Sequence, residues 1–194
     1  MTIRDRLNYM AEQMPNKTIY VFPHNANLKL TFTDCRDRAL LMAQNFLHMG
    51  FKKGDRIALA LPNTHELLIA YFAAAYIGLI IVTLNPEYGL DELAYMIEKT
   101  TPVGFIVYDY MDYYKIIDEL FPEINEFDKG QLISAKFPYL KHIILVNVNK
   151  NLEYRGAWPY EEVANKRINP NSIYDMPYID MDDPFGIIFT VNFL

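Results

Sequence analysis

From Leu67 to Leu84 the chain carries no charged side chain, and no other stretch constrains the fold as much. Its length reaches the roughly 18 residues that would suggest a membrane span. Its internal make-up points elsewhere. Leu67 to Ile77 is rich in alanine and leucine, which favour helix, and Gly78 divides the run. Leu79-Ile80-Ile81-Val82-Thr83-Leu84 is rich in β-branched residues, and Asn85-Pro86 closes it as a turn. Neither end has a basic flank. A buried helix followed by a strand buried on both faces accounts for all of this, and such strands belong to parallel sheets. No transmembrane segment is expected.

The flanking chain keeps the same rhythm. Arg56 to Leu61 reads as a strand and Thr64 to Ile77 as a helix. After the strand Ile80 to Leu84, the residues Leu90, Leu93, Ala94 and Ile97 mark an amphipathic helix that ends before Pro102. Val103 to Val107 is a third strand. Tyr113, Ile116, Ile117 and Leu120 line one face of a further helix. Strands alternating with helices at this spacing predict an α/β fold, a parallel sheet flanked by helices.

Before this core, a helix is predicted over Ile3 to Gln13, then a hairpin of Thr18 to Phe22 and Lys29 to Phe32 around the turn residues His24-Asn25-Ala26-Asn27. Thr33 is expected to cap the next helix, with Asp34 in its first turn and Gly50 as its stop. Cys35, Ala39, Met42, Ala43 and Phe46 share one face of it. After the core, Glu123 to Leu140 is expected to be an excursion over the surface. His142 to Val146 resumes as a strand, and a short helix starts at Trp158-Pro159-Tyr160. Asn165 to Asp183 reads as a surface linker, and Phe185 to Phe189 as a last strand.

Composition narrows the function. The 194 residues are 52% hydrophobic and 22% charged, a globular balance. A net charge of −6 with no basic stripe gives no grip on a nucleic-acid backbone. The lone cysteine, Cys35, excludes an internal disulfide and any Cys-rich metal site. His24, His48, His65 and His142 lack metal-ligand spacing. No Gly-x-Gly-x-x-Gly or Walker-type loop is present. The first residues lack the apolar core of a secretory signal, and Asp5 and Glu12 argue against a transit peptide, so cytoplasmic and mitochondrial settings stay open.

Four features invite a site. His65 beside Glu66 suggests an acid–base pair, but neighbouring helix positions point in different directions, which favours a surface or capping role. Tyr108, Tyr110, Tyr113 and Tyr114 cluster near a strand end; packing is the simpler account. Asp180-Met181-Asp182-Asp183 reads as solvated acid rather than a cation site, and Lys52-Lys53 as a charged loop.

Several motifs, in one order, resemble the adenylate-forming (AMP-binding) superfamily. Leu30-Thr31-Phe32-Thr33-Asp34 is similar to its opening signature, and Gly50 to Ala58 to the loop and strand that follow. Leu61-Pro62-Asn63-Thr64-His65-Glu66 resembles its Pro-Asn turn, and Gly78 to Tyr88 its Gly-to-Asn-Pro segment. Phe121-Pro122-Glu123-Ile124 and Phe137 to Ile144 resemble medium-chain acyl-CoA synthetases of the family member 2 type. The resemblance runs from about Leu7 to Thr190.

What the resemblance implies is an ATP-dependent fatty acid–CoA ligase with Rossmann-like layers, of which this chain is an incomplete amino-terminal part. It divides the chain into hairpin plus helices (1–50), an α/β subdomain (51–164), a linker (165–184) and a strand (185–190) leading to a phosphate loop. ATP, magnesium and coenzyme A serve the intact family, and a fatty acid is the substrate class. Thr190 matches the first position of the phosphate loop; the rest of that loop and every catalytic residue lack a counterpart here. None of these cofactors is expected to bind productively to this chain, which is expected to be inactive and to self-associate through exposed core. The alternative is a non-catalytic interaction or acyl-binding module.

Overall fold

The computed structural model describes residues 1–109, 113–147, 153–169 and 175–190. Helix α1 (Ile3–Gln13) leads into a hairpin of β1 (Thr18–Phe22) and β2 (Leu28–Thr31), followed by α2 (Phe32–His48). Then come β3 (Arg56–Ala60), α3 (His65–Ile77), β4 (Ile80–Thr83), α4 (Leu90–Thr100), β5 (Gly104–Asp109) and α5 (Tyr113–Leu120). The chain continues with β6 (His142–Asn147), β7 (Ala157–Pro159), α6 (Tyr160–Asn165) and β8 (Gly186–Ile188). Six strands form one sheet in the order β7-β6-β5-β3-β4-β8, every neighbouring pair parallel. The predicted α/β architecture is the one observed.

Strand alternation sorts the core into two layers. Ile57, Leu59, Ile81, Ile106 and Ile144 point to the face covered by α2, α3 and α6. Ala58, Ala60, Val82, Phe105, Val107, Ile143 and Leu145 point to the face covered by α4 and α5. Both faces are sealed, which is why these strands read as unbroken apolar runs. The uncharged run behaves as its composition demands. In α3, Ala70, Ala73, Ala74 and Ala75 are buried and let α2 approach closely; Gly78 then ends the helix in the left-handed region at φ 70°. Among the described residues no helix is long and apolar enough to cross a membrane.

Three expectations are corrected. Thr31, not Thr33, caps α2: its Oγ1 accepts from Asp34 N at 3.1 Å while Asp34 Oδ2 accepts from Thr31 N at 2.9 Å. The Thr33 hydroxyl is buried with no partner among the described residues. Segment 123–140 has irregular backbone but is no surface excursion. Ile124, Leu132, Phe137 and Leu140 are buried, with the Phe121 and Phe137 rings 5.6 Å apart. Helix α5 has only eight residues, so these side chains fill the part of the second layer it leaves open. Finally, Trp158 and Pro159 belong to β7, a sheet-edge strand, and α6 begins only at Tyr160. Proline is tolerated there because, among the described residues, β7 pairs on one side alone.

Gly156, at the start of β7, is held against that irregular segment. A Cβ there would stand 2.3 Å from the Ile124 carbonyl oxygen, and a backbone atom cannot rotate away. Gly156→Ala is therefore expected to lower stability by roughly 2–3 kcal/mol, an overpacking cost read from the urea midpoint. An unchanged midpoint would contradict this packing.

Candidate functional site

Connections from adjacent strands β3 and β5 leave to opposite faces of the sheet, since α3 lies in the first layer and α5 in the second. Parallel sheets open a crevice at such a switch point, beyond the carboxyl ends of the strands. A cleft of about 1720 Å³ occupies this place. Its walls are the hairpin tip (Phe22, His24, Asn25), the turn into α3 (Asn63 to Glu66), the strand ends at Tyr108 and Val146, and Trp158 with Tyr160. Arg38, Lys129 and Arg155 stand around it with Glu66 and Glu161.

The sequence places His65 and Glu66 at the first two positions of α3, where side chains fold over the free helix end. Contrary to expectation, they meet: His65 Nδ1 and Glu66 Oε2 are 3.1 Å apart. Asn25 Nδ2 donates to His65 Nδ1 at 3.1 Å, and Phe22 meets the imidazole edge-on at 6.0 Å. Burial pushes the Glu66 carboxyl up, but His65, Thr64 and its own amide outweigh that and hold it below the usual range. The helix amino terminus favours the same ionised form. Thr64 is the N-cap residue but makes no side-chain cap bond to the helix backbone; its hydroxyl bears on the Glu66 carboxylate. Tyr160, donating to Glu66 O at 3.2 Å, ties α6 to the start of α3.

At the far side of the cleft, Lys129 pairs with Glu162 at 2.7 Å and lies 5.4 Å from the Trp158 ring centre. Arg155 pairs with Asp128 at 2.8 Å. Trp158 Nε1, on the cleft wall, is buried with no partner among the described residues. The arrangement suits a ligand that stacks on aromatic faces and carries both donors and acceptors.

The other predicted features separate. Thr190 is exposed beyond β8, on the opposite flank of the sheet from β7, and does not line the cleft. Tyr108 lines the cleft; Tyr110 and the side chains of Tyr113 and Tyr114 lie outside the described residues. His24 and His65 line one cleft despite their distance in sequence, while His142 is buried at the start of β6. Among the described residues no cluster of His, Cys, Asp or Glu could hold a metal ion. Asp180 Oδ1 accepts from Asp182 N at 3.0 Å, which closes a local turn, and Asp183 pairs with Lys53 at 2.6 Å. Burial pushes the Cys35 thiol up to about 11, so it offers no nucleophile. The cleft itself was missed from sequence. Its signal was the order in which the strands sit, which a linear reading does not contain.

Comparison with known proteins agrees with the motifs. The family model described as AMP-binding enzyme matches residues 7–191. YngI of Bacillus subtilis, whose name carries an acyl-CoA synthetase assignment, is 30% identical over 97% of this chain and 35% of its own length. The mitochondrial medium-chain acyl-CoA ligase ACSF2 of Rattus norvegicus is 28% identical over 97% of this chain and 31% of its own. The chain thus spans about a third of the length of these relatives. A crystal structure assigned as a long-chain-fatty-acid CoA ligase of Rhodopseudomonas palustris superposes with a TM-score of 0.77 at 23% identity. It covers 98% of this chain and 42% of that one, a likeness of fold. With a family match across nearly its whole length and the parallel sheet expected of it, this chain belongs to the AMP-binding enzyme family.

Proposed function

We propose that this chain supplies the first sheet of the adenylate-forming domain of an ATP-dependent fatty acid–CoA ligase, and that by itself it is inactive. The observation that carries the reading is the family match from residue 7 to 191, together with relatives named as acyl-CoA synthetase and ligase. In that reaction a fatty acid carboxylate attacks the α-phosphate of ATP, forming an acyl-adenylate and releasing pyrophosphate. The thiol of coenzyme A then displaces AMP to form the thioester. Charge developing on the phosphates has to be met by preorganised donors and magnesium. Here β8 leads to Thr190, the one residue that matches the phosphate loop, and one hydroxyl cannot hold a triphosphate. Residues 1–50, 51–164, 165–184 and 185–190 then serve as hairpin with helices, α/β subdomain, linker and loop-bearing strand.

The test is ATP–pyrophosphate exchange with magnesium and a medium-chain fatty acid, alongside calorimetric titration with ATP. No exchange above buffer and no heat are expected; measurable exchange would overturn the inactivity. A second reading, a non-catalytic acyl-binding module, is favoured by the apolar side of the cleft, where Phe22, Val146 and Trp158 stand. It requires saturable fatty-acid binding by the folded chain. Self-association, seen as a rising sedimentation coefficient with concentration, is expected through the exposed Ile188 edge of the sheet.

A further inference from the structure

Strand β8 is weakly fixed by its own side chains. It has three residues at the sheet edge, and Ile188 is 78% exposed. The sequence Phe185-Gly186-Ile187-Ile188-Phe189 is apolar at odd and even positions alike. A slip of one residue along β4 would exchange one isoleucine for another, so burial barely specifies the register.

The preceding segment supplies what the strand lacks. Arg4 Nη1 donates to Pro177 O at 2.8 Å and to Tyr76 O at 3.1 Å, tying α1, the end of α3 and this segment together. Ile179 rests on Gly78, where a Cβ would come within 2.7 Å of its Cδ1. Lys53 Nζ pairs with Asp183 Oδ2 at 2.6 Å and lies 5.9 Å from the Tyr178 ring centre. Asp183 Oδ2 also accepts from Asp180 N at 2.6 Å, which shortens the path into β8. Lys53 and Gly78 stand in the turns that lead into β3 and β4, and Gly54 N joins these turns by donating to Gly78 O at 2.8 Å. The anchor points are thus fixed to the strands that β8 has to align with. Beyond them Ile81 N donates to Phe185 O at 2.9 Å and the ladder begins.

We propose that Arg4 and Lys53 are positioning residues: they clamp residues 177–183, and so set the register of β8 and the place of Thr190. The importance of Thr190 rests on the function proposed above, but the clamp is a property of this chain and is tested without any activity. A slip of one residue would carry Thr190 about 3.3 Å, further than a hydrogen bond to phosphate tolerates.

The measurement is hydrogen–deuterium exchange by mass spectrometry on this chain, comparing peptides across 184–190 with peptides across β5 and β6. Lys53→Met is expected to raise exchange at 184–190 about fivefold, the factor that a part-exposed ion pair supplies. Arg4→Met, which removes two charge-assisted bonds, is expected to raise it tenfold or more, on the order such bonds supply. Lys53→Arg should restore the wild-type rate. In the wild-type chain, molar salt should move the same peptides in the same direction, so the test stands even if a variant folds poorly. Unchanged exchange at 184–190 in both methionine variants would overturn the clamp. So would a parallel rise across β5 and β6, which would mark general loosening.

Discussion

Asn45→Ala is expected to lower stability by about 3 kcal/mol, a larger loss than its small change in volume suggests. Asn45 is a buried polar residue on the inner face of α2, 3% exposed. Its Nδ2 donates to Val163 O at 2.7 Å and to Lys166 O at 2.6 Å, and its Oδ1 accepts from Ile168 N at 3.1 Å. The two carbonyls lie at the end of α6, where backbone acceptors have no intrahelical partner. One side chain therefore closes the end of α6 and turns the chain toward 167–169. Truncation strands all three backbone groups. Water reaches Lys166 and half-buried Ile168, so the largest share of the loss falls on the Val163 carbonyl. Leucine should do no better, because shape cannot replace the hydrogen bonds. Aspartate should do worse, since a carboxylate would face two carbonyl oxygens. Urea denaturation at pH 7 reads the effect: the midpoint should fall with the slope unchanged. A midpoint within experimental error of wild type would remove Asn45 from the account of how α6 is held.

His142 should make the fold sensitive to mild acid. It is 5% exposed, its ring 4.9 Å from that of Phe51, and its Nδ1 has no partner among the described residues. Burial takes its pKa down to about 4; a hydrogen bond with the Met49 backbone opposes this and Lys141 adds to it. An unfolded histidine titrates near 6.5. Above that value both states are neutral and the group contributes no pH dependence. As pH falls from about 6.5 toward 4, the unfolded chain takes up a proton that the folded chain refuses, so stability declines over this window by about 3 kcal/mol in total. The carboxyls of Asp5 and Asp34, held low by the Thr2 and Thr31 caps, and of Glu66, held low by His65 and Thr64 beside it, lose their contribution only further down. The upper part of the window thus belongs to His142. His142→Gln should flatten stability between pH 6.5 and 5 while leaving the acid limb below it. An equal slope in wild type and variant would refute the assignment.

The alternating elements were legible because each has a local cause. The predicted helix Ile3 to Gln13 is the observed one, with Thr2 and Asp5 forming a capping box. The start of α2 at Phe32 is equally local, since Thr31-Phe32-Thr33-Asp34 carries the same pattern of Thr followed at the third position by an acid. The burial of the irregular stretch 123–140 is not local: it depends on how much of the sheet a short α5 leaves bare, and no window of sequence contains that fact.

The candidate site divides the same way. The motifs and the family they mark could be read from the chain, because side chains that cap, turn and pair do so within a few residues. Strand order could not, since parallel neighbours are set by crossovers that bring distant segments side by side. That order made the crevice beyond β3 and β5 and put Trp158 and Glu66 on one cleft, while the packing of the separate hairpin brought Phe22 and Asn25 to His65. It also left β8 at an edge, where an apolar sequence cannot choose its own register. Sequence determined the elements and the family. Tertiary structure alone decided the cleft and the clamp, because both are made of contacts between residues that sequence places dozens of positions apart.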